Sequence, residues 1–85
     1  MSVPIQSDRG KGVSCEISVT EITFEIDSEY WAGEAISITL MFPSVNGSPL
    51  LARCSGHVLR VEPSPAGWRI DATIERFTFS GSSSS

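Results

Sequence analysis

Histidine occurs once and cysteine twice in the 85 residues of this chain, and those shortages remove several kinds of chemistry. With His57 as the lone imidazole, a Ser-His-Asp arrangement has only one candidate base. A triad of His57, Ser18 and Asp71 requires a geometry that their spacing does not supply. Cys15, Cys54 and His57 offer three soft ligands without a paired Cys-x-x-Cys spacing, whereas structural zinc takes four. Glu21, Glu25, Asp27 and Glu29 do not follow a calcium-loop spacing and read as a solvated face. There is no glycine-rich phosphate loop, and no Gly-x-Gly-x-x-Gly run opens a helix, so nucleotide hydrolysis and dinucleotide chemistry have no sequence basis. The expectation is a protein that is no enzyme and carries neither metal nor cofactor.

Basic residues are also scarce. The six of them (Arg9, Lys11, Arg53, Arg60, Arg69 and Arg76) are dispersed on a chain of formal net charge -4, which argues against nucleic acid as a partner. No apolar run is long enough to span a bilayer, and Met1 to Ile5 lacks the charged start and apolar core of a secretion signal. The expected location is therefore the cytoplasm, without membrane insertion, where both cysteines remain reduced and pack as small hydrophobes.

What the sequence has in abundance is period-two alternation, which sends successive side chains to opposite faces of a strand. Val13, Cys15, Ile17 and Val19 alternate with Ser14, Glu16 and Ser18. The phase then changes to Ile22, Phe24 and Ile26, so two strands meet near Thr20-Glu21. Residues 27 to 34 form a connection, with a helical turn capped by Asp27 or Ser28. Ile36, Ile38, Leu40 and Phe42 mark the clearest strand, and Asn46-Gly47 is a hairpin signal joining it to an antiparallel partner. That partner runs from Leu50 through Ala52, Cys54, His57, Leu59 and Val61, and Gly56 is where it bends. After a turn at Pro63 to Gly67, Trp68, Ile70, Ala72 and Ile74 alternate again, and Phe77 and Phe79 continue that strand. Ser2 to Ser7 supplies a short edge strand in which Pro4 needs no ladder donor.

Together these predict one all-β domain over residues 1–79, a small six-stranded antiparallel β-barrel, followed by a flexible Gly/Ser tail over 80–85. The sequon Asn46-Gly47-Ser48 is explained by turn geometry.

The order of elements resembles a PilZ domain: a strand ending in a short polar motif, then "EITFEID", a loop, "AISITLMF", a hairpin, "GHVLRVEP" and a closing "GWRIDATIERF". The resemblance covers roughly Val3 to Phe79. It implies a six-stranded PilZ-like barrel in a bacterial signalling protein, with cyclic di-GMP as the ligand common in the family. The family's ligand motifs are an Arg-x-x-x-Arg segment ahead of the first barrel strand and an Asp/Asn-x-Ser-x-x-Gly motif where the second strand turns. The second falls on Glu16, Ser18 and Glu21 here, and these are the candidate ligand-binding residues. Ser18 matches, Glu16 is a methylene longer than aspartate, and Glu21 replaces the glycine and adds negative charge. The arginine pair is missing, since Arg9 has no partner at the required spacing.

A degenerate PilZ-like adaptor whose partner is another protein is therefore expected, with cyclic di-GMP disfavoured. The alternative is a cyclic di-GMP receptor whose arginines lie outside this chain. A third reading, an unrelated barrel that stacks sugars or single-stranded nucleic acid, would use Tyr30, Trp31 and Trp68.

Overall fold

A computed structural model describes residues 3–43 and 50–80. Seven strands follow one another: β1 Pro4–Ser7, β2 Lys11–Ile17, β3 Glu21–Ile26, β4 Ala35–Phe42, β5 Leu50–Ser64, β6 Gly67–Thr73 and β7 Arg76–Ser80. All pairings are antiparallel. The sheet order is β4-β1-β2-β3-β6-β5-β7, and β4 also pairs with β5, so six strands close a barrel and β7 is added outside it along β5. Closure removes the barrel's own open edges, the device by which small all-β folds satisfy their backbone.

The alternating residues fill the interior. Ile22, Phe24 and Ile26 of β3, Ile36, Ile38 and Leu40 of β4, and Ile70 and Ala72 of β6 are all buried. Burying an aliphatic or aromatic side chain of this size contributes about 1.5–3 kcal/mol. Tyr30 is buried with them and donates its hydroxyl hydrogen to Ser7 Oγ at 2.7 Å, while Trp68 packs against the cluster's rim.

The structure departs from these expectations in several places. In β2 the register shifts between Ser14 and Glu16, so Ser14 faces the core and Val13 faces out, the reverse of the expected phase. The buried Ser14 Oγ is satisfied by the Val3 N–H at 2.9 Å. In β5 the inward phase runs unbroken through Ala52, Cys54, Gly56 and Val58, and the register shifts only between Val58 and Arg60, so His57 and Leu59 face outward. β1 is no edge strand: it lies between β2 and β4 and closes the barrel. The expected sixth strand breaks at Ile74-Glu75 into β6 and β7, making seven strands and placing Ser80 within the last of them.

The connection over residues 27–34 contains no helix. It turns at Gly33, whose φ of 87° suits a residue without Cβ, and the Gly33 N–H donates to the Val58 carbonyl at 2.7 Å. The Asn46-Gly47 hairpin signal and the Asn46 sequon lie outside the described residues, as do 81–85 of the expected tail. The strands flanking that hairpin pair antiparallel, with Phe42 opposite Leu50.

Candidate functional site

The three residues picked out in the sequence do converge. Glu16 lies next to the last residue of β2, opposite Thr23, Glu21 opens β3, and Ser18 lies in the turn between them. With Ile17 and Thr23 they line a shallow cleft of about 270 Å3. Its chemistry is set by the turn itself. Ser18 Oγ donates to the Glu21 carbonyl at 3.2 Å and accepts from the Thr20 and Glu21 N–H groups at 3.3 and 3.1 Å. The Ser18 N–H also donates to the Glu21 carbonyl, at 2.8 Å. That hydroxyl is spent on holding the turn, a local bonding pattern common for serine. Two carboxylates and no basic side chain line the cleft, so it presents negative charge to any ligand.

Arg9 is held elsewhere. In the β1–β2 turn its guanidinium pairs with Glu34, donates to the Glu29 carbonyl at 3.2 Å and lies 4.4 Å above the centre of the Tyr30 ring. Arg9 and the Trp31 N–H hold the Glu34 carboxyl below its ordinary pKa, chiefly through the Arg9 hydrogen bond. The arginine ties the 27–34 connection to the barrel, and its partly exposed side chain also lines a cleft on that side of the molecule. Buried Tyr30 is equally committed, while Trp31 alone of the three candidate stacking residues is freely exposed, at 62%.

Beside Arg9 lies a cleft of about 400 Å3 lined by Asp8, Tyr30, Ser37, Ser55, His57 and Glu75 among others. His57 Nδ1 is 2.8 Å from Glu75 Oε2, and Thr73 Oγ1 donates to the same oxygen at 3.0 Å. These bonds, that to His57 first, lower the Glu75 pKa. His57, Ser18 and Asp71 are not assembled. Asp71 accepts from Thr23 at 2.9 Å and lies 3.7 Å from Arg60, whereas Ser18 is committed to its own turn. Among the described residues no group of three or more His, Cys, Asp or Glu side chains has the geometry to hold a metal ion.

The surface that sequence reasoning missed adjoins the Ser18 turn. Ile17, Val19, Ile74 and Phe77, with Ser18, line an apolar cleft of about 500 Å3. Val19 was expected to point inward and is instead 92% exposed. Phe77 and Phe79, read as a continuation of β6, sit edge to face at 5.1 Å, and Phe79 lies 6.4 Å from Phe42. A signal was present: the apolar phase changes between Ile74 and Phe77 just as it does at Thr20-Glu21, and a phase change marks a break. Compared with protein families, with curated proteins and with solved structures, the chain matches none of them.

Proposed function

We propose that this chain is a non-catalytic binding module, PilZ-like in its order of strands, that engages another protein in bacterial cytoplasmic signalling and does not hold cyclic di-GMP. One observation carries the reading. At the end of the barrel where the family's ligand motif falls, polar capacity is consumed or negative, and the open surface next to it is apolar. Contiguous exposed apolar surface of this kind is characteristic of protein-binding sites. A dianionic nucleotide at the same place would meet Glu16 and Glu21 without an arginine to offset them, and arginine's bidentate phosphate contacts are not replaced by serine.

Calorimetric titration of cyclic di-GMP into the full chain tests this. No binding heat is expected, and none is expected after Glu16→Asp with Glu21→Gly, because restoring the turn motif does not supply arginines. Micromolar binding by the unaltered chain would sink the proposal in favour of a nucleotide receptor.

A further inference from the structure

β7 ends the sheet order and, among the described residues, pairs only with β5. Its neighbour in the chain, β6, has β5 on one side and β3 on the other. The lane that β3 fills beside β6 stops at the β2–β3 turn, where the Ile74 N–H donates to the Thr20 carbonyl at 2.8 Å. Beyond that bond no strand of the described residues continues the lane, so one row of β7 backbone groups has no ladder partner.

Natural sheets guard such edges with charge, proline or a bulge. The C-terminal half of β5 shows the guarded kind: it pairs only with β6 beyond Val58, and it carries Arg60, Glu62 and Pro63 along with a register shift. β7 has none of these between Phe77 and Phe79.

The two faces of β7 differ in chemistry. Phe77 and Phe79 lie opposite Cys54 and Ala52, on the core side, yet remain 39% and 58% exposed. On the outer side Arg76 is opposite Ser55 and Arg53 is opposite Thr78, which sets the two arginines diagonally on one face. Both are exposed, and neither has a carboxylate at ion-pair distance among the described residues, unlike Arg9 and Arg60. Glu75, next in sequence, is bonded to His57 and Thr73.

The protein's own β3 indicates what suits such an edge. Beside β6, its Phe24 is opposite Ile70 and its Thr23 opposite Asp71, and the one basic residue of β6, Arg69, is met by Glu25. Arg76-Phe77 repeats the basic-then-apolar step of Arg69-Ile70, with the β3 side unfilled.

We infer that the free edge of β7 takes up an extended segment of a partner protein in which acidic residues alternate with apolar ones, adding a strand antiparallel to β7. This rests on the protein-binding reading above. Backbone bonds to β7 supply affinity, apolar side chains seat on Phe77 and Phe79, and acidic ones meet Arg76 and Arg53.

The experiment uses the full chain and a capped eight-residue peptide alternating glutamate with valine, with a lysine–valine peptide as control. Binding is read by fluorescence anisotropy and by hydrogen exchange of the backbone amides at Arg76–Ser80. The glutamate peptide is expected to slow exchange along β7 and to bind at least about tenfold more tightly than the lysine peptide, since charges across an interface set partner choice. Arg53→Glu with Arg76→Glu, both at exposed positions, is expected to reverse that preference while leaving thermal stability unchanged. Failure of the glutamate peptide to bind, equal binding of both peptides, binding without slowed exchange at β7, or a dimer whose β7 amides are already protected without peptide overturns the inference. Nucleotide binding in the calorimetric titration overturns instead the reading beneath it.

Discussion

Ser14 illustrates how a single residue answers to its surroundings rather than to its type. It is fully buried at 0% exposure; its Oγ accepts from the Val3 N–H, and its own N–H donates to the Val3 carbonyl. Ser14→Ala leaves the Val3 amide without a partner in a dry setting and is expected to lower stability by about 1–3 kcal/mol in urea denaturation. A neutral result would mean that Val3 is solvated. Cys54, 3% exposed, shows burial acting on chemistry: desolvation raises its thiol pKa from 9.0 to about 11. The folded state therefore holds the thiol proton more tightly than the unfolded chain does. The associated stability is complete below pH 9 and is lost as pH rises through about 11. With a thiol reagent at pH 8, half-buried Cys15 is expected to react first and Cys54 only as fast as the chain unfolds. Simultaneous labelling of both in the native protein would contradict this. The burial of Cys54 was legible from its place in an alternating strand. That of Ser14 was not, because a one-residue bulge reverses the face without altering composition.

Among the elements, β5 depends on close fit at one glycine. At Gly56 an added Cβ would fall 2.0 Å from the Thr73 carbonyl oxygen and 2.7 Å from its Oγ1. The nearer obstacle is backbone that belongs to the end of β6 and cannot swing aside. Gly56→Ala is therefore expected to cost about 2–3 kcal/mol, seen as a lower denaturant midpoint at unchanged slope. A substitution that left the midpoint alone would show that the two strands separate easily there. The position of Gly56 in a long strand was readable from the sequence, where it marked a bend. The structure places the irregularity of β5 beyond it, between Val58 and Arg60, and makes the glycine a point of close approach, which depends on where Thr73 comes to rest and so on a contact distant in sequence. The break between β6 and β7 is similar. Its phase change is written in Ile74, Phe77 and Phe79, but the exposure of the two phenylalanines follows from β7 being the strand left outside the closed barrel.

Across the whole molecule, closure joins β1 to β4 and β3 to β6, pairs whose contacts form only after long loops have been brought together. Folds dominated by such non-local strand pairs refold in about milliseconds to seconds. Stopped-flow refolding in that range is expected, and completion within microseconds would imply a far more local nucleus. Much of the architecture was already determined by the residues themselves: the all-β class, the positions of β3, β4, β5 and β6, and a turn between β2 and β3, expected near Thr20-Glu21 and lying at 18–20. These follow from period-two alternation and turn chemistry, which are local properties of the chain. The convergence of Glu16, Ser18 and Glu21 was legible for the same reason, being one turn between adjacent strands. Only the tertiary structure decided that β1 is interior, that β7 is surplus to the barrel, and that Arg53 and Arg76 share a face beside exposed Phe77 and Phe79. Each depends on which strands meet across the closed sheet, and that is set by global packing of the core.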